Sequence, residues 1–129
     1  MKKVLVVDDN EFVGKMVAFH LGKSGFCVET CNSPFGVLKK MRDFNPDVVL
    51  LDMKMPGLSG RGVASLIRKG EHGFKCKTII FSSEEENRQK QMVAEGLADG
   101  YFVKSPSFEG LKETIDRVSN VNLQKYCTS

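Results

Sequence analysis

Four short apolar runs, each ending at a polar residue, recur along this chain with helix-forming stretches between them. Val4-Leu5-Val6-Val7 ends at Asp8-Asp9, Val48-Val49-Leu50-Leu51 at Asp52, Ile79-Ile80-Phe81 at Ser82, and Tyr101-Phe102-Val103 at Lys104. Continuous apolar runs of this length suit strands covered on both faces, the situation of a parallel sheet between two layers of helices. If the runs are neighbouring parallel strands, three carboxylates, a hydroxyl and an ammonium converge at one end of one sheet. In open α/β sheets that carboxyl edge is where ligands bind.

The stretches between the runs fit this reading. Lys3–Val7 is the first strand, and a helix follows from Asn10 or Glu11 to Lys23. Phe12, Val13, Met16, Val17, Phe19 and Leu21 stand at helical spacing there, with Asp9 or Asn10 as N-cap. Ser24-Gly25 breaks the helix and Phe26–Cys31 is β-like. Ser33-Pro34 then supplies a cap and a first-turn proline for a helix to about Phe44, which Asn45-Pro46 ends. Asp47–Leu51 is the third strand, followed by a loop at Met55-Pro56-Gly57, a short helix from Ser59 or Gly60 to Lys69, and a loop over Gly70–Lys75. Thr78–Phe81 is a buried strand. Glu84–Glu95 forms a strongly polar helix anchored only by Met92, Val93 and Ala94. Because Glu84 to Gln91 contains no apolar residue, that helix is expected to move easily. Gly100–Val103 is the last strand, and Phe108–Val118 the last helix, with Leu111, Ile115 and Val118 on one face. The sum is (βα)5, an α/β fold whose five-stranded parallel sheet is doubly wound in the flavodoxin-like order 2-1-3-4-5.

Composition narrows the function classes. A chain of 129 residues, 41% hydrophobic and 27% charged, describes one ordinary globular domain. A net charge of +3 without a basic stripe gives no electrostatic reason to expect direct nucleic-acid contact. Val4–Val7 is too short for a signal-peptide core, and no stretch approaches membrane-spanning length, so a cytoplasmic protein is expected. Cys27 and Cys31 share one predicted strand, where four residues span about 13 Å. Disulfide reach is about 4.4–6.8 Å between Cα atoms, so reduced thiols are expected.

Taken singly, each strand-end residue is weak evidence. Asp8-Asp9 could be a solvated turn and cap, Ser82 a strand-terminal cap, Lys104 a surface lysine. Together they form a phosphoryl site. Adjacent carboxylates suit a hard cation, and a third carboxylate beside them would suffer like-charge repulsion without one. Mg²⁺ is therefore the expected cofactor. Ser82 and Lys104 add the neutral donor and compact positive charge needed to hold a phosphoryl group.

These motifs resemble the response-regulator receiver domains of two-component signalling, including the single-domain chemotaxis regulators in length and layout. The resemblance runs from Lys2 to about Val118 and rests on Val-Leu-Val-Val-Asp-Asp, the stretch Asp-Val-Val-Leu-Leu-Asp-Met-Lys-Met-Pro-Gly-Leu-Ser-Gly from Asp47 to Gly60, Ser82, and Tyr101-Phe102-Val103-Lys104. It implies a receiver domain over 1–119 and a C-terminal tail or start of a linker over 120–129. It further implies that Asp52 is the phosphoacceptor, modified by a sensor histidine kinase or phosphotransfer protein. Asp9, Asp52 and the backbone carbonyl of Lys54 would bind Mg²⁺ directly, with Asp8 holding a metal-bound water. Ser82 and Lys104 would contact the phosphoryl oxygens, and Tyr101 would follow Ser82 as a switch. The chain would then be a phosphoacceptor switch rather than an enzyme, with at most slow self-dephosphorylation. It would act on a downstream protein through the face formed by the fourth helix, fifth strand and last helix, as a monomer or phosphorylation-dependent dimer.

Two departures from the family pattern stand out. The usual lysine-proline pair, joined by a cis bond, is replaced by Lys104-Ser105-Pro106. A cis bond without proline costs about 2.5–4 kcal/mol, so Lys104-Ser105 is expected to be trans, with Ser105 or Ser107 capping the last helix. Lys54 and Glu84 flank the expected path of the hydrolytic water, and a pair there would lengthen the life of the phosphoryl group. Rival classes fit less well. A nucleotide or flavin enzyme would carry a glycine-rich loop where Asp8-Asp9-Asn10-Glu11 stands. A phosphohydrolase with an aspartate nucleophile would need an acid where Lys54 stands. A binding module that keeps the fold without phosphorylation is the remaining alternative.

Overall fold

The computed structural model describes residues 2–53, 60–68, 76–83, 86–105 and 107–127. The apolar runs are strands and the stretches between them helices: β1 (Lys3–Val7), α1 (Glu11–Lys23), β2 (Cys27–Cys31), a 3-10 turn (Pro34–Gly36) leading into α2 (Val37–Phe44), β3 (Val48–Leu51), α3 (Gly60–Arg68), β4 (Lys77–Ser82), α4 (Glu86–Ala94), β5 (Gly100–Val103) and α5 (Leu111–Cys127). All strands are parallel, in the expected order β2-β1-β3-β4-β5.

Strand periodicity divides the apolar runs between two cores. Leu5, Val7, Val49, Leu51 and Ile80 pack with Val37, Met41, Val63, Ile67 and Met92, under α2, α3 and α4. Val4, Val6, Val48, Leu50, Ile79 and Phe81 pack with Val17, Leu21, Leu111, Ile115 and Val118, under α1 and α5. Both faces of β1 and β3 are therefore dry. Their carboxyl ends point the following residues out at a single edge.

Helix ends follow local chemistry. The Asn10 side chain accepts from the N–H groups of Phe12 and Val13 at 3.0 and 3.2 Å and caps α1. Asn45 ends α2 in the left-handed region, φ 53°, its N–H donating to the Met41 carbonyl. The structure departs from expectation at α5, which begins at Leu111 and runs to Cys127 instead of spanning Phe108–Val118. Nothing between Leu111 and Cys127 is Gly or Pro, so no breaker stops the helix at Val118. Its start is delayed by a tight turn, with φ 54° at Phe108 and 87° at Gly110. The loops expected at Met55-Pro56-Gly57 and Gly70–Lys75 lie outside the described residues, except that the structure leaves Gly60 as the first residue of α3.

The β5–α5 contact leaves no spare volume. A Cβ placed on Gly100 would lie 2.7 Å from Val118 Cγ2, inside the buried core. Gly100→Ala should destabilise the fold by about 1–3 kcal/mol in urea unfolding. Adding Val118→Ala should cost less than the two single losses combined, because it makes room for the new methyl.

Candidate functional site

Three of the site residues stand one step past a strand end, held there by one further bond of the sheet ladder. Val7 pairs with Leu51 across β1 and β3, so Asp8 and Asp52 leave the sheet side by side. The Asp8 N–H donates to the Cys31 carbonyl at 3.0 Å, the Asp52 N–H to Val7 at 2.9 Å and the Lys104 N–H to Ser82 at 2.9 Å. The sheet thus fixes the main chain beneath side chains that come from opposite ends of the sequence. Asp8 is held again by its own turn, where Oδ1 accepts from the Asn10 N–H at 2.9 Å.

Carboxylate oxygens of Asp8, Asp9 and Asp52 all lie within 4.8 Å of one another, with Asp8 and Asp52 buried and Asp9 exposed. Lys104 closes over them. Its Nζ is 2.6 Å from Asp8 Oδ2, 3.7 Å from Asp52 Oδ1 and 5.2 Å from the centre of the Phe81 ring. Three carboxylates share one ammonium here, and two of the three are buried. Buried charge is costly unless it is paired. A hard dication with oxygen ligands would supply the missing neutralisation, and the exposed side at Asp9 leaves it room for water. The donor set therefore fits Mg²⁺.

Ser82 ends β4 and is fully buried. Its carbonyl accepts from the Lys104 N–H and also from the Gln89 side-chain amide at 3.1 Å. Tyr101 lies on β5 opposite Ile80, half-buried against the core under α4. Lys54, with the carbonyl expected to bind metal, and Glu84, its expected partner, lie outside the described residues. No peptide bond among the described residues is cis, so Lys104–Ser105 is trans, as expected.

Neither Ser105 nor Ser107 caps α5. Its N-cap position is Gly110, because the buried Phe108 ring, 6.0 Å from that of Phe81, pulls the connection inward before the helix starts. Gln89 and Phe108 are the residues that sequence reasoning missed. A signal existed for Gln89. It precedes Met92 by three positions and so shares its helix face. Ala94, expected as an anchor of α4, is exposed, while Met92 is buried and Val93 half-buried.

Among the described residues no other group of His, Cys, Asp and Glu gathers as these three carboxylates do. A cleft of about 520 Å³ lies beside α1, β2 and α2, but its lysines are already paired: Lys15 with Glu11, Lys39 with Asp43 and Lys40 with Glu29. Cys27, Cys31 and Cys76 are free thiols, and burial pushes the Cys76 thiol up to about 11, leaving it neutral and unreactive at physiological pH.

A family model described as the response regulator receiver domain matches residues 4–116. The chain is 33% identical over 104 residues to the CAI-1 autoinducer sensor kinase/phosphatase CqsS of Vibrio cholerae, an alignment covering 80% of this chain and 15% of that protein. It is 32% identical over 103 residues to the alkaline phosphatase synthesis transcriptional regulatory protein PhoP of Bacillus subtilis, covering 80% and 42%. The chain thus spans less than half the length of these curated relatives. Among solved structures, the response regulator TrrA of Thermotoga maritima, in complex with Mg²⁺ and BeF, superposes with a TM-score of 0.79 at 35% identity, covering 92% of this chain and 99% of that one. The chemotaxis protein CheY4 of Vibrio cholerae superposes with a TM-score of 0.81 at 30% identity, covering 92% and 98%. TrrA is also known in complex with the histidine kinase ThkA.

Lys104 occupies the charge that a metal would otherwise meet. Lys104→Met should therefore tighten Mg²⁺ binding about tenfold in calorimetric titration at low salt, on the order of 1.4 kcal/mol of relieved repulsion. Asp9→Asn should weaken it.

Proposed function

The chain belongs to the response-regulator receiver family, and from that membership we propose that it takes a phosphoryl group from a phosphohistidine onto Asp52. The observation that carries this reading is the cluster of Asp8, Asp9 and Asp52 closed over by Lys104 at the carboxyl edge of the sheet. An Asp52 oxygen attacks phosphorus in line. The new O–P bond forms as the N–P bond of the donor breaks, and the imidazole nitrogen leaves with the electron pair. Such transfer asks little of the protein beyond positioning and charge neutralisation. Asp9, Asp52 and the Lys54 carbonyl would hold Mg²⁺, with Asp8 holding one of its waters, and the ion would supply charge neutralisation at the phosphoryl oxygens. Lys104 exchanges its carboxylate partners for one of those oxygens, and the Ser82 hydroxyl donates to another.

The product carries up to two negative charges where the carboxylate carried one. That charge draws Ser82 and Lys104 toward Asp52, and Tyr101 follows Ser82 into the space vacated beside β4. The altered surface of α4, β5 and α5 then engages a downstream protein, with the chain a monomer or phosphorylation-dependent dimer. Self-dephosphorylation is slow at most, so the chain is a switch rather than an enzyme.

The donor must bring its histidine to Asp52, and the wall beside that opening is α1. Phe12 and Phe19 are 69% and 70% exposed, and Met16 between them is also exposed. These residues sit at i, i+4 and i+7, on the side of α1 opposite the buried Val17 and Leu21. An apolar stripe of this kind marks a partner surface. The phosphohistidine protein covers it while its histidine meets Asp52. The support for a kinase donor is the likeness to TrrA, which has been seen with one.

Acetyl phosphate with Mg²⁺ should add 80 Da to the wild-type chain and nothing to Asp52→Asn, as read by intact mass spectrometry. Equal masses before and after treatment of both proteins would favour a binding module without phosphorylation. Phe12→Asp with Phe19→Asp should slow transfer from a phosphohistidine protein at least about tenfold, since buried apolar contact would be lost. The same pair should leave modification by acetyl phosphate within about twofold.

A further inference from the structure

Most of the described side chains of helix α4 face away from the sheet. Its residues Asn87, Arg88, Lys90, Gln91 and Ala94 are exposed, and Val93 is half-buried. Two side chains turn fully inward, the apolar Met92 and the polar Gln89, the latter only 1% exposed. A side-chain amide taken out of water needs hydrogen-bond partners. Gln89 Nε2 donates to the Ser82 carbonyl at 3.1 Å, reaching back across the connection between β4 and α4. The Lys104 N–H donates to that same oxygen at 2.9 Å. One carbonyl oxygen therefore joins the end of β4, the end of β5 and the inner face of α4. It belongs to the residue whose hydroxyl serves the phosphoryl group.

We propose that Gln89 is a positioning residue that couples α4 to the Ser82 strand end, so that a displacement at Ser82 reaches α4 through one buried amide bond. The proposal deepens the phosphoacceptor reading and rests on it for the source of the displacement. Drawing Ser82 and Lys104 toward a phosphoryl group shifts the carbonyl they share by main chain and hydrogen bond. The Gln89 amide either follows that oxygen, turning α4, or loses it. In both cases the helix changes state when the strand end does. A hydrogen bond has a preferred length and direction, so a shift of the carbonyl either carries the donor with it or weakens the bond.

Two variants separate this role from mere packing. Q89M keeps length and volume without a donor, and Q89E keeps shape but places a carboxylate oxygen against the carbonyl. Amide hydrogen exchange over residues 86–94 of the unmodified protein should quicken at least fivefold in both, with β1 and β3 unchanged. Beryllofluoride with Mg²⁺ should alter exchange over 86–94 in the wild type, and that response should fall to less than a third in Q89M. Modification of Asp52 by acetyl phosphate should stay within twofold, because Gln89 does not touch the reacting atoms. Wild-type exchange over 86–94 in both variants, or an undiminished beryllofluoride response in Q89M, would overturn the proposal. Should Q89M fail to fold, Q89E decides by the same readout. If the wild type takes neither beryllofluoride nor phosphate, the phosphoacceptor reading fails, while exchange in the unmodified protein still decides whether Gln89 tethers α4.

Discussion

The register of β1 against β3 is the constraint on which the site depends. Val7 stands opposite Leu51, and that pairing alone puts Asp8 beside Asp52. A slip of one residue would turn every side chain of one strand to the other face, driving the alternate valines and leucines out of both cores. The dry interior on each side of these strands therefore enforces the position of the carboxylates without touching them. Function is set here by packing some distance below the chemistry.

That placement creates an electrostatic problem which the fold only half solves. Asp8 and Asp52 are buried close together, and Lys104 answers with a single positive charge held nearest to Asp8. Such an arrangement is poised rather than satisfied. On the proposed reading, the carboxylates not paired with Lys104 hold a dication, and the lysine moves once a phosphoryl group offers it a better partner. The Phe81 ring beneath the ammonium, stacked on Phe102 and tilted against Phe108, gives that lysine a fixed apolar platform. In this chain the buried Phe108 follows the lysine by four positions, its N–H donating to the Ser105 carbonyl at 3.2 Å.

Most of the fold was legible because the strands are short, apolar and separated by helices of ordinary length. The ends of β1 and β5 and the span of α1 appear in the structure as the residue pattern implies. The cluster of Asp8, Asp9 and Asp52 was legible for the same reason, since strand ends are the best-defined points of such a pattern. What escaped were features decided by tertiary contact. Six apolar residues of α1 stand at helical spacing, yet Phe12, Met16 and Phe19 face outward, because a helix with apolar residues on both sides does not say which side is covered. Polarity marked the first half of α4 as loosely held, yet Gln89 is among the most buried residues of the chain. Hydropathy counts a glutamine as solvated. It cannot register a backbone carbonyl waiting for a donor in the core.

The two helices beside the site are held by different forces, and this decides which of them can switch. α1 is fixed by Val17 and Leu21, both fully buried, and by the Asn10 cap. Each buried apolar side chain contributes about 1.5–3 kcal/mol, and a cap adds roughly 1 kcal/mol. Among its described side chains α4 has the buried Met92, the half-buried Val93 and the Gln89 amide bond to Ser82, whose net contribution is about 0.5–1.5 kcal/mol. Hydrogen bonds to a charged phosphoryl group are worth about 1.5–3 kcal/mol each. Gains of that size can outweigh the Gln89 bond but not the combined anchors of α1. A rigid α1 suits the proposed role of presenting a constant face to a phosphoryl donor. A lightly held α4 suits the reporting of what has happened at Asp52, since a ligand shifts an equilibrium only as far as its differential energy reaches.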